Sequence, residues 1–93
     1  MLIEYKIAES DEFSKKLTHR DYIKLSNKIK NFVYPQLKEN PFYGKNIKKL
    51  KGKYNDIYRY RIGNFRLFYT VDNDKIIVII IDIRKRKDSY KSK

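Results

Sequence analysis

Apolar residues recur at two different spacings along the chain, and each spacing predicts a different kind of element. Helical spacing dominates residues 18–39, where one face carries Tyr22, Leu25, Ile29, Phe32, Val33 and Leu37. Pro35 should kink this helix or end it near Tyr34, because proline lacks the N–H group that a helix needs. Ser10 can cap a shorter helix that runs through Leu17.

Alternation of apolar and polar residues predicts the strands. It is weak over residues 2–7, clear over 57–62 and 65–71, and merges into a continuous apolar run over 75–83. Gly63 and Asn64 form a two-residue hairpin turn between two of these strands. Residues 44–55 are predicted to be a basic loop. The predicted fold is α+β, in the order β-α-α-β-β-β, with two N-terminal helices on one face of a small, mainly antiparallel sheet. Residues 1–93 form a single domain.

Positive charge is concentrated in the second half of the chain. The net charge is +12, and residues 44–93 contain 15 Lys and Arg against 5 Asp and Glu. A basic half on a small domain indicates a polyanionic partner, usually nucleic acid. A general preference for lysine on protein surfaces is the alternative explanation.

Residue types that are missing exclude several classes of chemistry. The chain has no cysteine and one histidine, His19, so neither a disulfide, a thiolate nucleophile nor a His/Cys metal site is expected. The N-terminus lacks the apolar region of a signal peptide, and the apolar run of residues 76–81 is too short to span a bilayer. We therefore expect a cytoplasmic protein with no membrane association, metal or cofactor.

Candidate chemistry lies on the sheet face opposite the helices. Arg59 and Arg61 are two residues apart on one strand, and Arg66 falls in the matching position on the next. Together with Arg86 and Tyr90 they would place guanidinium groups and a phenol on one surface, where positive charge favours the phenolate and so a tyrosine base. The alternative is that each is an ordinary solvated residue. Three tyrosines at positions 58, 60 and 69 fit the core instead, His19 is expected at the surface, and Asp82 is expected to pair with an arginine.

Several segments resemble the RelE/ParE toxin superfamily when taken in order. They are Leu50-Lys51-Gly52, the hairpin Arg59-Tyr60-Arg61-Ile62-Gly63-Asn64-Phe65-Arg66 ending at Tyr69, and the closing Arg86-Lys87-Asp88-Ser89-Tyr90. The resemblance implies an endoribonuclease that cuts mRNA in the ribosomal A site and is neutralised by an acidic, RelB-like antitoxin from a neighbouring gene. The ParE-like branch, which inhibits DNA gyrase, generally lacks the terminal tyrosine.

The resemblance also assigns roles to residues. Arg66 matches an arginine that contacts the scissile phosphate. Arg86 matches an arginine that acts as acid or stabiliser, and Tyr90 matches the tyrosine that acts as general base. Arg59 and Ile57 fall at or near positions where some members have lysines. The predicted catalytic residues are therefore Arg59, Arg66, Arg86 and Tyr90. The predicted contacts to RNA and the ribosome are Arg61, Lys45, Lys48, Lys49, Lys51, Lys53, Arg84, Lys85 and Lys87. The alternative function is a non-catalytic module, either a ParE-like gyrase inhibitor or an inactive RNA-binding homologue.

Overall fold

The computed structural model describes residues 4–54 and 56–85. It contains a five-stranded sheet with helices on one face, which confirms the predicted fold class. The helices are α1 (Asp11–Leu17), α2 (Ile23–Lys28) and α3 (Tyr34–Glu39), with a π-helical turn (Ile29–Val33) joining the last two. The strands are β1 (Lys6–Glu9), β2 (Ile47–Lys49), β3 (Tyr58–Ile62), β4 (Phe65–Asp72) and β5 (Ile77–Lys85).

The sheet is ordered β1-β5-β4-β3-β2. Only the β1–β5 pair is parallel, and the other three pairs are antiparallel. Gly63 adopts a φ of +54° in the β3–β4 turn, which is the left-handed conformation that two-residue hairpins require. The predicted loop over residues 44–55 was wrong in part, because Ile47–Lys49 pairs with β3 as an edge strand and Gly52–Tyr54 forms a 3₁₀ turn.

The second helical segment begins later than predicted and passes through Pro35. Residues 18–22 form turns, and α2 starts at Ile23 without a side-chain cap. In the π-helical turn the N–H of Tyr34 bonds to the carbonyl of Ile29. Pro35 then lies in the first turn of α3, where a missing N–H costs little. The helical path therefore continues to Glu39, as the spacing over residues 18–39 predicted, and of the two predicted effects of Pro35 an end near Tyr34 does not occur.

The core lies between the helices and one face of the sheet. Phe13, Leu37, Leu67, Tyr69 and Ile80 are among its fully buried side chains. Predicted helix capping by Ser10 is confirmed, since its Oγ accepts a hydrogen bond from the N–H of Phe13 at 3.1 Å. The same hydroxyl donates to the carbonyl of Ile81 at 2.7 Å, which fixes the start of α1 against β5.

Three core tyrosines have their hydroxyl groups engaged. Tyr34 donates to Glu9, Tyr60 to the side chain of Gln36 and Tyr69 to the carbonyl of Pro41, each at 2.6 Å. Burial, followed by the contact with Glu9, raises the pKa of Tyr34 well above its usual range, and burial likewise raises the pKa of Tyr69. Tyr34 and Tyr69 therefore stay protonated, and all three side chains serve packing, as predicted for Tyr60 and Tyr69.

A bulge in β5 changes which side chains face the core. Phe68 pairs with Asp82 whereas Tyr69 pairs with Ile80, so Ile81 is an extra residue on β5. Ile80 and Ile83 are therefore both fully buried although they are three residues apart. Ile81 and Asp82 are consequently left to line the opposite face.

Candidate nucleic-acid interface

The sheet face opposite the helices contains a cavity of about 480 Å³. Its charged lining comes from three different strands: Arg59 on β3, Arg66 on β4, and Asp82 and Arg84 on β5. The cavity lies on this face because, within residues 4–54 and 56–85, no helix covers the side chains that alternate with the core positions of these strands. The predicted grouping of Arg59 and Arg66 on one face is therefore confirmed.

The arginines form a row across the sheet near the hairpin. Arg61 lies opposite Arg66 in the β3–β4 register, and Arg66 lies opposite Arg84 in the β4–β5 register. The register therefore gathers cationic side chains from three strands at this end of the sheet. A concentration of guanidinium groups is typical of surfaces that bind anions.

Among the described residues that line the cavity, Asp82 is the one acidic side chain, and it is only 9% exposed. Lys16 of α1 donates to its Oδ1 at 2.8 Å and Arg84 to its Oδ2 at 3.1 Å. Burial alone would raise the pKa of Asp82, but the hydrogen bonds from Lys16, from the Ile83 N–H and from Arg84 outweigh it and lower the pKa. The predicted pairing of Asp82 with an arginine is confirmed. The carboxylate of Asp82 contacts the Nε of Arg84, and the side chain of Arg84 remains about 62% exposed.

The basic segment of residues 45–53 does not present all its lysines to the cavity side. Lys48 pairs with Arg59 and therefore shares its face. Lys49 pairs with Tyr58 on the opposite face, and its Nζ lies 5.9 Å from the centroid of that ring. The remaining lysines predicted to bind RNA in the described residues are exposed; they are Lys45, Lys51, Lys53 and Lys85.

Other predicted residues lie away from the cavity or outside the described residues. Arg61 shares the face of Arg66 by register but does not line the cavity; it is exposed and borders a separate hollow of about 300 Å³ that also contains Lys28 and Phe32. His19 is exposed on the turn after α1, as predicted. Arg86, Lys87 and Tyr90 lie outside the residues that the structure describes, so their roles stay predictions.

The apolar part of the cavity was not predicted as part of the site. It is formed by Leu50, Ile57, Phe68 and Ile81, with Tyr54 beside them. Alternation places Phe68 on the same face as Arg66, and this could have indicated its position. Tyr54 could have been found as the one aromatic residue in the basic segment of residues 44–55, because aromatics interleaved with cations are typical of nucleic-acid surfaces. Ile57 lies where the resemblance suggested a lysine in some members, and it offers no proton.

The described residues lack both a metal-binding cluster and a membrane-spanning helix. Among residues 4–54 and 56–85, no three His, Cys, Asp or Glu side chains are grouped so that they could hold a metal ion. Over the same residues, no helix has the length and apolar character needed to cross a membrane.

Comparisons with known proteins agree on one family. A family model described as the ParE toxin of the type II toxin–antitoxin system parDE matches residues 10–90. A candidate toxin of Methanocaldococcus jannaschii, RelE1, is 45% identical over 58 residues, which are 60% of this chain and 63% of that relative. The alignment therefore spans less than two thirds of the relative.

Solved structures share the fold. The RelB–RelE antitoxin–toxin complex of Methanococcus jannaschii superposes with a TM-score of 0.68 and 30% identity, covering 89% of this chain and 94% of that one. The toxin–antitoxin complex RelBE2 of Mycobacterium tuberculosis gives 0.71 at 20% identity, with 92% and 95% covered. The YoeB/ParE toxin of Agrobacterium tumefaciens gives 0.68 at 20% identity, with 86% and 97% covered. The chain belongs to the ParE toxin family of type II toxin–antitoxin systems, within the RelE/ParE superfamily.

Proposed function

We propose that this toxin is a ribosome-dependent mRNA endoribonuclease that cleaves in the A site by attack of a 2′-hydroxyl on the adjacent phosphate. The observation that carries the proposal is the cavity in which Arg59, Arg66 and Arg84 converge from three strands. Guanidinium groups bind phosphate oxygens through paired hydrogen bonds, and they stabilise negative charge that grows in the transition state. The site of action is the cytoplasm, where mRNA is translated.

The chemistry needs a proton acceptor and a proton donor in addition to the arginines. Tyr90 as phenolate would accept the proton of the 2′-hydroxyl, and that oxygen would then attack phosphorus. The 5′-oxygen of the next nucleotide leaves and takes up a proton, for which the resemblance points to Arg86. Arg59 and Arg66 would hold the non-bridging oxygens. Because guanidinium gives up a proton reluctantly, Arg59 is better suited to charge stabilisation than to acid catalysis.

An acidic, RelB-like antitoxin encoded by a neighbouring gene is the proposed partner of the free toxin. Two of the similar structures are complexes of RelE with RelB, and a third is the RelBE2 toxin–antitoxin complex. The net charge of +12 and the exposed cationic face suit an acidic segment that folds on binding. A genome that holds no small acidic reading frame beside this gene would contradict the proposed partnership.

Primer extension on a reporter mRNA in a cell-free translation reaction tests the proposed activity. Wild-type protein should produce cuts within codons at the A site, only when ribosomes are present. Tyr90→Phe should reduce cutting about 100- to 10,000-fold through loss of proton transfer. Arg66→Ala should reduce it about 100- to 1,000-fold through loss of a stabilising donor. Full cutting by Tyr90→Phe would contradict the proposed role of Tyr90.

A non-catalytic, ParE-like function is the second candidate, and two observations favour it. The matching family model is that of ParE, and Ile57 cannot supply a proton in the cavity. The discriminating result is the absence of ribosomal cuts with folded wild-type protein, together with inhibition of DNA gyrase in a supercoiling assay. A protein that does neither but binds RNA would be an inactive homologue.

A further inference from the structure

We propose that the cavity contains a nucleobase subsite next to its phosphate-binding arginines, and that Tyr54 provides the surface on which the base stacks. This inference rests on the proposed function in so far as single-stranded RNA is taken to be the ligand. It adds a determinant of which nucleotide is held in the cavity.

The cavity has two chemically different sides. Arg59, Arg66 and Arg84 provide charge, whereas Leu50, Ile57, Phe68 and Ile81 provide an apolar floor. A phosphate group alone gains nothing from an apolar floor, because its oxygens need donors. A nucleotide has both an anionic group and a flat apolar face, so it complements both sides.

The position of Tyr54 is set by its backbone. It ends the 3₁₀ turn Gly52–Tyr54, and its carbonyl accepts a hydrogen bond from the N–H of Ile57 at 3.0 Å. Gly52 has a φ of +75°, a conformation that other residues rarely adopt, and this shapes the approach to the turn. The backbone of the turn therefore places Tyr54 among the residues that line the cavity.

The side chain of Tyr54 remains 53% exposed although it is aromatic and lines the cavity. It contrasts with Tyr34, Tyr60 and Tyr69, which are buried with their hydroxyl groups bonded. The Nζ of Lys53 lies 5.7 Å from the centroid of the Tyr54 ring and adds positive charge beside it. An exposed aromatic ring among cations is the arrangement by which proteins bind single-stranded nucleic acid.

The size and charge of the cavity fit the proposed ligand. Its volume of about 480 Å³ falls within the range of about 300–1,000 Å³ found for small-molecule pockets. Among the described residues, its lining carries three arginines and one aspartate, and that aspartate is bonded to Lys16 and Arg84. Cationic side chains thus outnumber carboxylates in this lining, which favours an anionic ligand, and the apolar floor favours one with a flat, weakly hydrated group.

Fluorescence anisotropy with a labelled six-nucleotide single-stranded RNA, in the absence of ribosomes, tests the subsite. The comparison is between the intact oligonucleotide and a set in which each base in turn is replaced by an abasic ribose. Base stacking on an aromatic residue corresponds to about a 5- to 150-fold change in affinity. For the wild-type protein, at least one abasic position should weaken binding by an amount in this range.

Three variants assign the effect to the ring. Tyr54→Ala should bind the intact oligonucleotide as weakly as wild type binds the critical abasic one, whereas Tyr54→Phe should keep the wild-type discrimination. Tyr43→Ala is the matched control, since Tyr43 is 80% exposed and does not line the cavity. Far-UV circular dichroism establishes that each variant is folded, and Tyr54→Leu replaces Tyr54→Ala if the latter is not.

The outcomes separate the subsite from the proposed nuclease activity. Equal affinity of wild type for intact and abasic RNA would overturn the subsite and leave ribosomal cleavage standing. Discrimination that survives in Tyr54→Ala would overturn the role of Tyr54. Base discrimination by a protein that makes no ribosomal cuts would uphold the subsite and contradict the nuclease.

Discussion

The two faces of β4 show how one strand serves two purposes. Leu67 and Tyr69 point to the helices and are fully buried, and the hydroxyl of Tyr69 is bonded to Pro41. Arg66 and Phe68, the residues that alternate with them, line the open cavity. On the covered face these side chains contribute to packing, whereas on the open face Arg66 lies opposite Arg61 and Arg84 in the strand register. The covered face of β4 therefore serves the fold, and its open face carries charged groups of the proposed site.

The largest expected effect is a difference in the free energy of unfolding between substitutions on the two faces of β4. Leu67→Ala should lower the free energy of unfolding by about 2–5 kcal/mol, because it removes a fully buried side chain and leaves a cavity in the core. Arg66→Gln on the adjacent residue should leave stability nearly unchanged while it weakens RNA binding. Urea denaturation of both variants measures this. Equal destabilisation by the two substitutions would show that the open face is also structural.

An intermediate effect is expected at Asp82, which lines the cavity and accepts a hydrogen bond from Lys16 of α1. Because the folded-state pKa of Asp82 is lowered, its contribution to stability is present above its unfolded pKa of about 3.9 and is lost as pH falls through the folded value. Asp82→Asn should lower the free energy of unfolding at pH 7 by about 1.5–3 kcal/mol, in line with hydrogen bonds to charged groups. It should also flatten the loss of stability below pH 4.

Denaturation curves between pH 2 and pH 7 measure the effect of Asp82→Asn. Asp21→Asn, at an exposed position in the turn before α2, is the control and should follow the wild-type profile. If wild type and Asp82→Asn lost stability in the same way as the pH falls below 4, the stabilising role of the bonds from Lys16 and Arg84 to Asp82 would be contradicted.

The smallest expected effect compares two adjacent lysines of β2. Lys48 shares the face of Arg59, whereas Lys49 lies over Tyr58 on the other face. Lys48→Gln should weaken binding of single-stranded RNA by about 0.2–1 kcal/mol, as for an exposed charge pair. It should also reduce the slope of log affinity against log salt by about 0.7. Lys49→Gln should change neither the affinity nor the salt slope. Fluorescence anisotropy titrations with single-stranded RNA at three salt concentrations distinguish the two variants.

Much of this arrangement could be predicted from alternation alone. A period of two placed Tyr60 and Leu67 in the core and Arg59 and Arg66 on the open face, because successive side chains of a strand point to opposite sides. The glycine-containing turn at residues 63–64 fixed the register between those strands.

The features that could not be predicted depend on contacts between distant segments. The edge strand Ile47–Lys49 has a weak pattern of its own and forms because β3 offers it backbone partners. The bulge at Ile81 interrupts the alternation, so both Ile80 and Ile83 reach the core. Lys16 bonds to Asp82, a residue 66 positions away, and no local spacing could indicate that contact.

The order of strands in the sheet also determines at which point of synthesis the toxin can complete its fold. β1, made first, finds its strand partner in β5, which is made last, so the sheet is completed only when almost all of the chain is available. Contacts this distant in sequence form late, because the closure of a long loop must precede them. We expect nascent chains that lack β5 to have neither a closed core nor the Arg84 side of the cavity. A cell would then meet the folded toxin only after β5 has been translated, however early the β3–β4 hairpin forms.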